Sequence, residues 1–147
     1  MESISPCNPL AIDCGDELIT HLEKLIGETQ FSDVEFYVGG REFPAHKNIL
    51  ASRSKFFAAM FENLSKEKLT DQIEIECVKL EVFHQLLRFI YTGRLTATTI
   101  EAMAADLYIA AIKYQLDELK KKCETELIQF FTSLIFADMF SNLTKIN

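Results

Sequence analysis

The chain has 147 residues, which predicts one domain, and its 48% hydrophobic and 25% charged residues are typical of a globular protein. Twelve phenylalanines and no tryptophan predict a core built from Phe and Leu. The formal net charge of −7 argues against a nucleic-acid-binding surface, because such a surface needs clustered Lys and Arg to neutralise phosphates. The one basic run, at residues 120–122, stands among glutamates and is interpreted as a solvated helix face.

The four cysteines, at positions 7, 14, 77 and 123, have spacings that suit neither a zinc site nor a redox CxxC pair. We find no secretory signal pattern and expect no membrane-spanning segment. These features predict free thiols in a reducing compartment. Cys77 and Cys123 lie in apolar patterns and are predicted to be small core residues.

The first helix of the chain is predicted to carry an unusually wide apolar face. Residues 1–14 lack periodicity and are interpreted as a flexible tail or a linker remnant. Asp16 is predicted to cap a helix that ends at Gly27. The apolar residues of that helix are Leu18, Ile19, Leu22, Leu25 and Ile26. Such a face either belongs wholly to the core or also serves a second surface.

The segment from residue 31 to residue 62 predicts a β-hairpin followed by two short helices. Residues 32–38 alternate between apolar and polar, Gly39-Gly40 suits a tight turn, and Arg41–Ala45 forms the return strand. Helices are predicted over Lys47–Arg53 and residues 54–62, with Ser52 and Ser54 as candidate caps.

The rest of the chain predicts one further strand and a run of helices. The polar residues 64–71 are interpreted as a loop, and residues 72–76 as a third strand. Helices follow at 80–91, ended by Gly93, and then from a Thr98-x-x-Glu101 capping box. Two more are predicted at 116–130 and 134–140. This order predicts an α+β domain, dominated by helices, with a small three-stranded sheet.

No arrangement of residues in the sequence predicts catalysis. His21, His46 and His84 are far apart, and we find neither a nucleophile elbow nor a phosphate-binding glycine loop. We therefore expect no enzyme activity, no cofactor, no metal site and no small-molecule substrate.

Several dispersed blocks of sequence, in order, resemble a known family. They read F-S-D-V, G-G-R-E-F-P-A-H-K, F-I-Y-T-G and A-A-I-K-Y. Together they resemble a BTB/POZ domain, and most closely that of the speckle-type POZ proteins, which join a MATH domain to a BTB domain. The resemblance implies a BTB/POZ fold over residues 15–126 and a shortened C-terminal helical extension at 127–147. It also implies a protein–protein interaction module that forms homodimers.

The resemblance assigns a dimer interface to six residues. The four apolar ones are expected to pack against a second subunit, and the two charged ones to line a pocket at the interface. They are Leu18, Leu22, Leu25 and Ile49, with Asp33 and Lys47. The alternative for the charged pair is two solvated surface charges.

BTB proteins of this kind bind cullin-3, the scaffold of a ubiquitin ligase, and the resemblance implies a contact surface for it here. The expected residues are Leu64, Ser65, Glu67, Tyr91, Ile112, Lys113 and Tyr114. Ser65 departs from the family pattern, which has a hydrophobic residue at that position. Leu64, one position earlier, is the candidate to replace it. Losing one apolar anchor at the centre of an interface costs about 2 kcal/mol.

The sequence carries no substrate-recognition domain beside the BTB-like region. We therefore expect either a fragment of a longer adaptor or a regulator that forms mixed dimers with related BTB proteins. The alternative is a scaffold for transcriptional or cytoskeletal partners that does not bind cullin. The expected location is the nucleus or the cytoplasm.

Overall fold

The structure, a computed structural model, describes residues 9–64 and 71–145. Within these ranges the strands are β1 (Val34–Val38), β2 (Arg41–Ala45) and β3 (Asp71–Ile75). The helices are α1 (Gly15–Glu23), α2 (Lys47–Arg53), α3 (Lys55–Glu62), α4 (Leu80–Thr92), α5 (Ala97–Lys113) and α6 (Asp117–Lys145). The predicted α+β class, with a small sheet and dominant helices, is confirmed.

The three strands form one sheet in the order β2-β1-β3. The central strand β1 pairs antiparallel with β2 and parallel with β3. Val34, Phe36 and Val38 of β1 are fully buried, as the alternating pattern predicts. The predicted hairpin turn is confirmed, because Gly39 and Gly40 both have positive φ angles, which a two-residue turn of this kind requires.

The core consists mainly of aromatic and aliphatic side chains packed between the sheet and the helices. The Phe36 ring meets the rings of Phe57 and Phe83, with centroids 5.6 Å and 5.4 Å away. Tyr114 stacks on Phe57 at 5.1 Å. This arrangement joins β1, α3, α4 and the end of α5 into one core, as the Phe-rich composition predicts.

Two predicted helix ends are confirmed. The Ser54 Oγ accepts a hydrogen bond from the Phe57 N–H, which makes Ser54 the N-cap of α3. Gly93 ends α4 in the left-handed conformation, and its N–H donates to the Phe89 carbonyl at 2.7 Å.

Two other predicted caps are wrong. Asp13, not Asp16, accepts a hydrogen bond from the first N–H of α1, because its carboxylate lies 2.9 Å from the Gly15 nitrogen. Asp16 lies in the first turn, where its charge favours the helix dipole. Helix α5 is capped by Thr96, two residues before the predicted Thr98.

Cys123 is buried as predicted, but the prediction that Cys77 is a core residue is wrong. Cys77 is exposed and has a φ of +63°. It lies in the connection just after β3, where the chain turns towards α4 and the alternation of the strand has ended.

The C-terminal region is one helix of 29 residues rather than the two predicted helices. It contains neither Gly nor Pro, so no residue in it forces a break. Its apolar C-terminal part is exposed. The expectation that no apolar segment is long enough to span a bilayer is also wrong, because α6 contains an 18-residue window of mean hydropathy 1.2. Membrane spans and helices that pack on protein share this length and composition.

Candidate protein-interaction site

Helix α1 lies against α4 and leaves its apolar stripe largely uncovered. No residue of α1 is buried, and Leu18 is 59% exposed. Leu22 and Leu25 are half-buried, and Leu25 packs against the edge of the core. The wide apolar face therefore does not belong wholly to the core. This excludes the first of the two alternatives that the sequence leaves open, a face used only for the core.

Charged side chains tie the two ends of α1 to the rest of the domain. Asp16 pairs with Arg94 at 2.7 Å, and Glu23 lies 3.9 Å from Arg88. Exposed ion pairs of this kind contribute only about 0.2–1 kcal/mol each. The ion pairs lie at the two ends of the helix and do not cover the stripe between them. That stripe, which includes Leu18, is therefore available for contact.

Asp33 and Lys47, the predicted charged pair, are close together but do not pair through their side-chain charges. The Asp33 carboxylate accepts a hydrogen bond from the Lys47 backbone N–H at 2.8 Å, which satisfies a free N–H in the first turn of α2. The Lys47 ammonium instead pairs with the Asp71 carboxylate. Asp71 is buried, so this pair is shielded from solvent on the carboxylate side.

The sequence analysis missed Asp71. Its partner is 24 residues away, and only the parallel register of β1 and β3, which sets Val34 opposite Asp71, brings the two charges together. In the sequence Asp71 is an acidic residue just before a predicted strand, and nothing there distinguishes it from a solvated charge.

His46 connects the segment before β1 to the end of α4. Its ring Nδ1 lies 2.9 Å from the Tyr91 hydroxyl, and its Nε2 lies 3.0 Å from the Gln30 carbonyl. The His46 backbone N–H also donates to the Tyr91 hydroxyl at 3.0 Å. Burial raises the pKa of Tyr91 to about 12. These contacts are structural, as expected for a histidine between a strand and a helix.

Tyr91 and Tyr114, which the resemblance assigns to the cullin surface, are both buried in this structure. Tyr91 is 4% exposed and Tyr114 is fully buried. The ring of Tyr114 is covered by Phe56 and Phe57, and burial raises its pKa to about 12. Large aromatic side chains contribute most to the core when their rings are fully covered.

Of the other residues assigned to the cullin surface, three are exposed or half-buried and two lie outside the described ranges. Ile112 is 49% exposed, and the exposed Lys113 places its ammonium 3.3 Å from the Glu76 carbonyl. Leu64 is half-buried at the end of the first described range. Ser65 and Glu67 lie outside the described residues.

A family model described as BTB/POZ domain matches residues 22–131. The chain belongs to the BTB/POZ family. Mouse TD and POZ domain-containing protein 4 is 40% identical to this BTB chain over 130 residues, which cover 82% of the chain and 35% of that protein. The BTB chain thus spans about a third of the length of that relative.

Solved structures support the same fold. The BTB domain of zebrafish PATZ1 matches with a TM-score of 0.63 at 24% identity, over 82% of this chain and 99% of that one. The BTB domain of human gigaxonin matches with a TM-score of 0.55 at 28% identity, over 79% and 95% respectively. BTB domains are interaction modules, not enzymes, and they associate with themselves and with related BTB proteins.

Proposed function

We propose that this BTB domain forms a homodimer through the face of α1, joined by Ile49 of α2. The observation that carries the proposal is that α1 has no buried residue and leaves Leu18 largely exposed. Ile49 and Leu25 are half-buried against the edge of the core, and Leu22 is half-buried as well. A partly covered apolar stripe of this kind needs a second surface to complete its burial.

The expected gain from dimerisation is large. Burying one Leu side chain contributes about 1.5–3 kcal/mol, and a two-fold interface uses each position twice. Leu22, Leu25 and Ile49 are already half-buried and gain less than this, so the total gain over the two subunits is comparable to the entropy lost on association, which costs about 4–15 kcal/mol. The contacts of Asp33, Lys47 and Asp71 fix the start of α2, so Ile49 is presented on a rigid element.

Substitution of Leu18 tests the dimer more cleanly than changes at the other positions. Leu25 packs against the core, so a charge there damages the fold, whereas Leu18 is exposed in the monomer. We expect Leu18→Asp to convert the dimer into a folded monomer, measured by light scattering and circular dichroism. Ile109→Asp is the control, because Ile109 is a similarly exposed apolar residue on α5. A Leu18→Asp protein that remains a dimer contradicts the proposal.

We further propose that the dimer acts as a cullin-3 adaptor, or regulates such adaptors by forming mixed dimers, as a member of the speckle-type group. The exposed Ile112 and Lys113, together with Leu64, support a contact surface that the resemblance assigns to cullin-3. The mechanism is binding: the α1 faces pair two subunits, and each subunit presents its own cullin surface. We place this activity in the nucleus or the cytoplasm and the BTB unit at residues 15–126.

A second candidate is a BTB scaffold that recruits other partners without cullin. Two observations favour it: Ser65 replaces an expected hydrophobic anchor, and Tyr91 and Tyr114 are buried, so neither ring is available to a partner. The residues assigned to the cullin surface that remain exposed are few compared with those of a standard protein interface.

Calorimetric titration with the N-terminal domain of cullin-3 separates the two candidates. We expect submicromolar binding to the dimer. The affinity should fall at least about tenfold for Ile112→Asp, because a few anchor residues carry most of the binding energy of an interface. Ile12→Asp, an exposed apolar position before α1, is the control. A folded dimer with no detectable heat of binding supports the scaffold instead.

A further inference from the structure

Phe31 combines an exposed aromatic ring with an unfavourable backbone conformation. Its φ is +62°, in the left-handed region, and its side chain is 84% exposed. Bulky residues rarely adopt this conformation, which Gly and Asn tolerate far better. The monomer therefore carries backbone strain at a residue whose ring is hardly packed in return.

Neighbouring hydrogen bonds hold the turn in this strained form. The Ser32 N–H and the Ser32 hydroxyl both donate to the Thr29 carbonyl, at 3.1 Å and 2.8 Å. The Gln30 carbonyl lies 3.0 Å from the Nε2 of His46, and the Asp33 N–H donates to the Ala45 carbonyl at 3.1 Å. The conformation of Phe31 is thus set by contacts on both sides of it, which is the usual condition for persistent strain.

The turn lies between α1 and β1 in the chain, and it also contacts the residue that precedes α2. At its start, the Glu28 N–H donates to the carbonyl of Leu25, which lies two residues after the end of α1. On its other side, His46 directly precedes α2, which carries Ile49. Phe31 therefore stands on a segment that follows α1 in the chain and contacts, through the Gln30 carbonyl, the residue just before α2.

We propose that Phe31 is an aromatic anchor of the homodimer, with its ring buried against the second copy of the chain. The inference rests on the proposed homodimer and adds a residue to its interface. A second copy is the occupant that fits, because the turn adjoins both elements assigned to self-pairing. In a two-fold contact the ring of each subunit is buried, so the strained residue contributes twice.

The test is Phe31→Asn, which suits the left-handed conformation and removes the ring. We expect the dissociation constant of the dimer, measured by sedimentation over a dilution series, to rise at least about tenfold, as for loss of an interface anchor. Phe140→Asn is the matched control, because Phe140 is also well exposed but lies on α6. We expect that control to dimerise like the unsubstituted protein.

A second measurement separates an interface role from a structural one. In the monomeric Leu18→Asp background, we expect Phe31→Asn to leave the urea midpoint unchanged or to raise it, because it relieves strain. An unsubstituted dimer whose dissociation constant is unaffected by Phe31→Asn overturns the anchor role and leaves the proposed homodimer intact. An unsubstituted chain that is monomeric overturns the homodimer itself, and the anchor with it. A lowered urea midpoint in the monomeric background overturns the anchor by showing that the ring supports the fold.

Discussion

Helix α4 and the second half of α6 are both rich in apolar residues, yet one is buried and the other is not. Seven residues of α4 are buried, among them Phe83, Leu86 and Ile90. From Ile128 onwards α6 has no buried residue, and Phe136 is 71% exposed. The difference is one of arrangement, since the apolar residues of α4 recur on one face and those of α6 are distributed around the helix.

The comparison shows that apolar content alone does not decide whether a helix joins the core. A single apolar face is covered by one sheet or one neighbouring helix, as α4 is covered here. An apolar surface that surrounds a helix needs contacts on several sides, and the described part of α6 packs mainly against one helix, α5. The second half of α6 is therefore an interaction surface or an aggregation hazard, depending on what covers it.

The largest expected effect is a truncation in α4. Phe83 is fully buried and meets the rings of Phe36 and Phe43, so we expect Phe83→Ala to lower the free energy of unfolding by about 3–5 kcal/mol. Phe136→Ala, the matched change in α6, should cost less than about 0.5 kcal/mol. Urea denaturation at one protein concentration measures both, and similar losses at the two sites would remove the contrast between the helices.

A pH titration tests the buried hydroxyl groups of Tyr91 and Tyr114, which lie in the core and not in the exposed half of α6. Burial raises the pKa of Tyr91 to about 12, above the usual value of 10, so the folded state keeps its proton where the unfolded state loses it. The contribution of this proton to the free energy of unfolding is complete below pH 10 and is lost as the pH rises towards 12. We expect Tyr91 to contribute up to about 2–3 kcal/mol in this way.

The variant Tyr91→Phe should make the decline between pH 10 and pH 12 shallower than in the unsubstituted protein. Its stability at neutral pH is expected to fall, since the His46 N–H loses its acceptor. An unchanged alkaline slope would show that the Tyr91 hydroxyl titrates like that of an exposed tyrosine.

A smaller effect is expected at the junction of α3 and α5. Ser54 caps α3 and its hydroxyl also donates to the Tyr114 carbonyl at 2.6 Å. We expect Ser54→Ala to cost about 1–2 kcal/mol, because it removes a cap and leaves a buried carbonyl without this donor. Ser52→Ala is the control, since Ser52 is exposed and caps no helix, and its urea midpoint should stay near that of the parent.

The smallest expected effect on stability is removal of residues 134–147. Their described side chains are exposed, so the free energy of unfolding should change by less than about 0.5 kcal/mol. Solubility should rise, because a cluster of exposed apolar residues is removed. A large loss of stability after this deletion would mean that the end of α6 is covered in solution.

Local patterns predicted much of the fold because they depend on neighbours in the chain. The alternation around Phe36, the glycines of the hairpin and the end of α4 at Gly93 were all predicted and confirmed. The cap at Asp16 was wrong because several acidic residues stand near the helix start, and backbone geometry selects Asp13 among them. The break predicted within α6 was wrong because Thr132 and Ser133 are compatible with a continuing helix.

The sequence by itself determined the class, the sheet and the family resemblance, since periodicity and motif order do not depend on distant contacts. Only the tertiary structure decided that Lys47 pairs with Asp71, that Tyr91 and Tyr114 are internal, and that Phe31 is exposed in a strained turn. Each of these depends on residues far apart in the chain meeting in space. Burial and charge pairing are properties of that arrangement, and the one-dimensional pattern carries no direct record of them.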